Sequence, residues 1–198
     1  GRHRLDRVRP ADGGRNGRGE RQKSPHYRKG RLGRHLHTPR LHTNQSAAFL
    51  QQVLHGFKGD IKERKVLLKG DKDSVTVYIA LQKDSLIGAA VETYTDLAFD
   101  GTFSIMVGFD PIGNIIETEV LQANETPGLG DKIDKKKSDF PLQFVGKNPA
   151  NFKLQVKKDG GEVDAITAAT ISSRAFCDAI QRASNAFLTI KEDGNEQN

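Results

Sequence analysis

Apolar and polar residues alternate with a period of two in the middle of the chain, which is typical of β-strands buried on one face. The alternation begins at Ser74 and returns after short interruptions, so it predicts four successive strands, at 74–81, 86–94, 102–109 and 114–122. Later alternating segments predict two short strands, at 152–156 and 162–166. The interruption Asp110-Pro-Ile-Gly113 predicts a hairpin turn, because proline presets φ and glycine tolerates a positive φ.

The last part of the chain has the period of an amphipathic helix. From Ile171 to Ile190 the apolar residues form one stripe, at spacings of three and four. Thr170, Ser172 and Ser173 at its start belong to residue types that favour helix N-caps. Several strands followed by one packing helix predict an α+β fold, with a twisted, mainly antiparallel sheet and a packed C-terminal helix.

The segments around this pattern are less regular. Residues 46–69 combine a short helical pattern with Lys-rich polar sequence, and we interpret them as a poorly defined lead-in. The ordered domain is predicted at 70–190. Residues 191–198 are polar and are predicted to form a frayed tail.

Residues 1–45 have a composition of their own, with 13 Lys and Arg against 3 Asp and Glu. They show no helical or strand period, so they are predicted to be disordered. Because residue usage changes abruptly after them and the first residue is not Met, a native basic arm and a non-native extension both remain open. The histidines in this stretch are interpreted as part of a solvated tail rather than as metal ligands: His35, His37 and His42.

Charge and hydropathy restrict the classes of function. The net charge of +6 comes entirely from residues 1–45, which carry +10, while the remaining residues carry −4. Nucleic-acid binding would therefore depend on residues 1–45 alone, and it is not the expected function. The single cysteine, Cys177, excludes an internal disulfide, and packing is its expected role. The chain as given contains no run of about 18 apolar residues, so it is not expected to span a bilayer.

The start of the C-terminal helix has features of a phosphate site. Unpaired backbone N–H groups and the helix dipole favour an anion there, and Thr170 offers a hydroxyl to which a phosphate could be linked. The hydroxyls of Ser172 and Ser173 could add donors, and Arg174 could pair with an anionic oxygen. Ala168 and Ala169 are small enough to admit a modifying enzyme. The alternative is an ordinary N-cap, which is common at helix starts.

The segment Glu125-Thr126-Pro127-Gly128-Leu129-Gly130 has features of a ligand loop. Its two glycines allow the backbone to approach a flat ring, its proline stiffens the approach, and its leucine can supply an apolar contact. The alternative is a surface turn, in which Pro-Gly is frequent. Phe99, Phe103 and Phe109 could shield a ring, but core packing is the expected role of all three.

Three segments, in order and spacing, resemble the FMN-binding domain family. Val163-Asp-Ala-Ile-Thr-Ala-Ala-Thr-Ile-Ser-Ser-Arg174 is similar to its flavinylation motif, Glu125–Gly130 to its second signature, and 106–113 to the strand and turn before it. The resemblance implies that a flavin transferase uses FAD to attach FMN to Thr170 through a phosphoester. It also implies site roles for Asp164, the motif's acidic position, and Thr167. Ala168 departs from the family, which more often has Gly there.

Within the family, residues 70–190 are most similar to the G component of the Rnf ion-translocating electron transport complex, and more distantly to the C component of the sodium-translocating NADH-quinone reductase. The resemblance implies an electron-carrying subunit of a membrane redox complex, rather than a self-contained enzyme with its own catalytic side chain. It implies a place on the outer, periplasmic side of the bacterial cytoplasmic membrane, among other redox subunits. These subunits usually begin with a membrane-spanning helix, and the Arg-rich stretch takes that place here.

Two alternatives to this function remain. One keeps the flavin and makes the chain the FMN domain of a secreted flavoprotein reductase. The other gives the function to residues 1–45 as a nucleic-acid-binding arm, with an affinity that falls steeply with salt concentration.

Overall fold

The computed structural model describes residues 42–55 and 57–195, in which a five-stranded sheet lies between two helices. The predicted α+β fold is confirmed. Three short 3-10 helices connect the last strand to the second helix. The elements, in chain order, are α1 (His42–Val53), β1 (Asp60–Val66), β2 (Val75–Gln82), β3 (Ser85–Ala98), β4 (Gly101–Phe109), β5 (Ile115–Gln122), the 3-10 helices Gly130–Ile133, Phe140–Phe144 and Lys157–Asp159, and α2 (Thr170–Asn195).

Every strand of the sheet is antiparallel to the next, in the order β1-β2-β3-β4-β5. Across its centre, Val77 pairs with Val91, Val91 with Val107, and Val107 with Thr118. These four side chains are buried. The hairpin turn predicted between β4 and β5 is confirmed, since Gly113 N–H donates to Asp110 O over 3.0 Å and Gly113 has φ of +96°.

One face of the sheet packs against α2 and forms the larger core. The stripe predicted for this helix is buried from Ala175 to Ile190, while its first residue, Ile171, is exposed, and the rings of Phe187 on α2 and Phe109 on β4 stack with centroids 5.0 Å apart. Cys177 lies in the same core. Burial raises the pKa of its thiol to about 12, so the thiol stays protonated at neutral pH and packs as a small apolar group.

The other face packs against α1, a contact that the sequence pattern did not predict. Phe49, Leu50 and Val53 of α1 are buried there in a second core. Small residues on the strands make room for the helix: a Cβ added to Gly108 would lie 3.1 Å from Cε1 of Phe49. Since α1 begins at His42, residues 42–45 form helical backbone inside the segment predicted to be disordered.

Two sequence predictions about strands are wrong. The segments 152–156 and 162–166 are not strands, and only one isolated bridge joins Val156 to Val163. Both valines are fully buried, so their apolar character reflects core packing rather than sheet pairing. β1 was missed because its residues are mostly charged and exposed, as is common for edge strands that avoid pairing with other chains.

The predictions for the C-terminal end of the chain can be compared with the structure, but those for the N-terminal end cannot. Helix α2 continues to Asn195, beyond the predicted end at Ile190. The predictions for residues 1–41 and for the histidine side chains lie outside the described residues. Among the described helices, none combines the length and the apolar character needed to cross a membrane.

Candidate functional site

Thr170 is the first residue of α2, and its side chain is half-buried. The helical hydrogen bonding begins one residue earlier, where Ala169 O accepts from Ser173 N–H over 3.0 Å. The N–H groups of Thr170, Ile171 and Ser172 therefore have no backbone acceptor within 42–55 and 57–195, as expected for the first turn of a helix. Nor does the Thr170 hydroxyl bond to any other residue that the structure describes. Thr170 thus offers a free hydroxyl beside unpaired donors.

The helix begins at this point because Ser173 closes the preceding turn. Its Oγ accepts a hydrogen bond from Ile166 N–H and donates one to Ala169 O, both over 2.9 Å, and the side chain is fully buried. Ser173 is thus committed inside the protein, rather than facing a ligand as the sequence suggested. Within the same turn Ala168 has φ of +63°, a left-handed conformation that costs a non-glycine residue about 1–2 kcal/mol.

Replacing Ala168 by Gly is expected to stabilise the protein. Glycine adopts a positive φ without steric cost, although it gives more conformational freedom to the unfolded chain. We expect the free energy of unfolding to rise by about 0.5–1 kcal/mol, measured by urea denaturation. As a control, Ala165→Gly lies nearby at a residue without positive φ and should lower the stability. A decrease for Ala168→Gly equal to that of the control would contradict the strain assigned here.

Ser172 and Glu125 join the helix start to the 125–130 loop. Ser172 Oγ donates to Glu125 Oε2 over 2.6 Å, and Phe99 N–H donates to Glu125 Oε1 over 3.2 Å. Both Glu125 and Ser172 are buried. Gly130 packs on this contact, because a Cβ there would lie 2.2 Å from Glu125 Oε2 and 2.6 Å from Ser172 Oγ. The structure therefore brings together residues from two of the motifs singled out in the sequence.

The middle of the loop is a surface turn beside the helix start. Leu129 N–H donates to Thr126 O over 3.1 Å, and Gly128 has φ of +75°. Pro127, Gly128 and Leu129 are exposed. The loop is therefore a surface turn, and a ligand-binding role for it stays a prediction.

Three exposed apolar side chains, which we call the apolar rim, belong to the segments that meet at the helix start: Phe99, Leu129 and Ile171 are 63%, 40% and 46% exposed. Phe99 is tied to Glu125 through its backbone, Leu129 precedes Gly130, and Ile171 follows Thr170. Core packing was therefore the wrong expectation for Phe99, although it is confirmed for Phe103 and Phe109. Exposed apolar side chains on segments that meet in this way are candidates for contact with a ligand or a partner.

Arg174 and Asp164 are engaged elsewhere. The Arg174 guanidinium donates to both carboxylate oxygens of Asp159, over 2.6 and 2.8 Å, which lowers the pKa of Asp159 and raises that of Arg174. The exposed carboxylate of Asp164 pairs with Lys157 over 2.8 Å. Thr167 is also exposed. The Asp164 carboxylate therefore contacts Lys157 and not Thr170.

Sequence reasoning missed Gln143, which supports the motif segment. Its amide accepts from Asp164 N–H over 2.8 Å and donates to Asp164 O over 3.2 Å, as a neighbouring strand would. The sequence pattern gave no sign of this role, because the two paired residues are 21 positions apart and meet only in the folded chain. Among the described residues, no group of acidic, histidine or cysteine side chains could hold a metal ion.

Comparison with known proteins identifies the family. The family model for the FMN-binding domain matches residues 99–185, which run from Phe99 through the loop and Thr170 into α2. The G component of an ion-translocating oxidoreductase complex from Salmonella typhi is 39% identical over 147 residues, which cover 70% of this chain and 71% of the relative. The chain belongs to the FMN-binding domain family. This confirms the resemblance read from the motifs, and it supports FMN as the cofactor.

Further relatives of this FMN-binding domain carry the same name. The G component from Escherichia coli K12 is 41% identical over 110 residues, covering 54% of this chain and 53% of the relative. The G component from Shewanella oneidensis is 38% identical over 117 residues, covering 58% of this chain and 55% of the relative. The chain spans little more than half the length of these two curated relatives. Helix α1 and strands β1, β2 and β3 lie before the segment that the FMN-binding family model matches.

Proposed function

We propose that this domain is an electron-carrying subunit with FMN bound covalently to Thr170 through a phosphoester. The observation that carries the proposal is the placement of Thr170, whose hydroxyl is free of other described residues at the start of a 26-residue helix. Helix starts of this kind favour phosphate through their unpaired N–H groups and their dipole. The FMN-binding family membership supplies the identity of the phosphate-bearing group.

Attachment requires a flavin transferase and FAD as the donor. The Thr170 oxygen bonds to the flavin-side phosphorus of FAD, and the bond from that phosphorus to the bridging oxygen breaks. AMP leaves with the bridging oxygen, and the hydroxyl proton passes to a base of the transferase. The reaction transfers the FMN group from FAD to the threonine oxygen, without oxidation or reduction. The segment 164–168 is exposed except at the buried Ile166 and is supported by Gln143, and it is the part of the chain that the transferase would bind.

The residues around Thr170 fit FMN. The backbone donors of the first turn suit its phosphate, and the apolar rim suits the faces of its ring system. Arg174 lies one turn after Thr170 on the same side of α2, and since its Nε and Nη2 bind Asp159, its Nη1 is the donor left for the phosphate. Bound FMN would supply the capacity to accept and pass on one or two electrons, while the protein holds it in place.

We extend the proposal to the setting in which the domain works. The curated relatives are named as subunits of an ion-translocating oxidoreductase complex. By analogy, the domain would pass electrons among other subunits of such a complex, at the outer face of the bacterial cytoplasmic membrane. By the same analogy, an N-terminal anchor or those other subunits would hold the domain at the membrane.

The proposal is tested by exposing the full-length chain to a purified flavin transferase and FAD. After denaturation and gel electrophoresis, flavin fluorescence should remain with the protein band, because a phosphoester survives conditions that release non-covalent FMN. A band without fluorescence, with an unchanged protein mass, would refute covalent attachment.

A further inference from the structure

Glu125 is a buried carboxylate that joins three separate segments near Thr170. It is 7% exposed, and each of its oxygens accepts one hydrogen bond, from Phe99 N–H and from Ser172 Oγ. Phe99 belongs to the turn between β3 and β4, and Ser172 to the first turn of α2. Glu125 itself begins the loop whose last residue, Gly130, packs against the contact.

This arrangement costs more free energy to form than an apolar packing contact in the same place would. Burying a carboxylate is unfavourable unless its oxygens are well paired, and here both donors are neutral groups. An apolar side chain would fill the same space without that cost. The glycine at position 130 leaves the space that the carboxylate and the hydroxyl occupy, so three residues are matched to one contact.

We propose that Glu125 is a positioning residue for flavin attachment, which rests on the proposed function of Thr170. Ser172 is two residues after Thr170, and residues two apart lie about 200° apart around a helix. When Glu125 holds Ser172 inward, Thr170 therefore faces outward. Through Phe99 N–H, the same carboxylate fixes the part of the apolar rim contributed by the β3–β4 turn. Glu125 acts through these neighbours and not by touching the reacting atoms.

The test measures the rate of covalent flavin attachment to the full-length chain, with purified transferase and saturating FAD. Glu125→Ala and Ser172→Ala should each slow attachment about tenfold or more, because small displacements of a reacting group are costly. Glu125→Gln should recover most of the rate, since its amide can accept from Phe99 N–H and donate to Ser172 Oγ. Flavin attachment to the double variant Glu125→Ala/Ser172→Ala should be no slower than attachment to the slower of the two single variants, as expected for residues that act as one unit.

Ser184→Ala is the matched control. Ser184 is a buried serine of α2, about three turns after Ser172, and its loss should leave the attachment rate unchanged. If Glu125→Ala does not fold, the attachment rates of Ser172→Ala and Ser184→Ala are compared instead. Equal attachment rates for these two variants overturn the proposal. Attachment to folded Glu125→Ala at the wild-type rate, or failure of Glu125→Gln to recover the rate, also overturns it. Absence of attachment to the wild-type chain would instead refute the function proposed for Thr170.

Discussion

Thr170→Ala is expected to abolish covalent flavin attachment while leaving the fold intact. The variant removes the oxygen to which the proposed phosphoester is bonded. It should not disturb the core, because the side chain is half-buried and its hydroxyl bonds to no other residue that the structure describes. Flavin fluorescence of the denatured protein, after treatment with transferase and FAD, should fall to the level of untreated protein. The circular dichroism spectrum and the thermal midpoint should stay close to those of the wild type.

Thr167→Ala is the informative comparison for this variant. Thr167 is exposed in the same motif, whereas Ser172 and Ser173 are buried, so it is the accessible alternative hydroxyl. The Thr167→Ala protein should still acquire covalent flavin. Persistent attachment in Thr170→Ala, together with loss in Thr167→Ala, would move the site to Thr167 and refute the present assignment.

Phe176→Ala is expected to cause the largest loss of stability among the substitutions considered. The Phe176 ring is fully buried on α2, and its centroid lies 6.4, 5.5 and 5.4 Å from those of Phe103, Phe140 and Phe144. Truncation would leave a cavity where the helix, the sheet and a 3-10 helix meet. We expect a decrease of about 3–5 kcal/mol in the free energy of unfolding, measured by urea denaturation.

Leu188→Ala provides a control on the same helix. Leu188 is 44% exposed, so its truncation should change the free energy of unfolding by less than about 1 kcal/mol. A comparable loss for both variants would contradict the role assigned to the packing of Phe176.

The sequence predicted β2 to β5 and α2 because each of them has one strongly apolar face. It failed on the opposite face of the sheet, which looked solvent-facing since small residues occupy it. Ala80, Ala90 and Gly108 contribute little apolar area, yet they leave the space in which Phe49 and the rest of α1 pack. A pattern of apolar positions reports side-chain character, and it cannot report space left for a partner.

The sequence predicted only part of the candidate site, because a sequence pattern does not show which distant residues come into contact. The motifs at Thr170 and at 125–130 are contiguous in sequence, so both could be recognised there. The contact between them, from Ser172 Oγ to Glu125 Oε2, spans 47 positions and depends on the fold. The roles of Ser173 and Arg174 also required the structure, because hydroxyl and guanidinium groups bond equally well to a phosphate or to neighbouring protein atoms.

The most direct measurement for the central claim is fragment-ion mass spectrometry of the tryptic peptide 159–174 from flavin-treated protein. This peptide lies between Lys158 and the cleavage site after Arg174, and it contains four hydroxyl residues: Thr167, Thr170, Ser172 and Ser173. The account predicts that the added mass equals one FMN less one water, and that it is carried by Thr170. An FMN adduct on another residue of the peptide, or a peptide of unmodified mass, would contradict it.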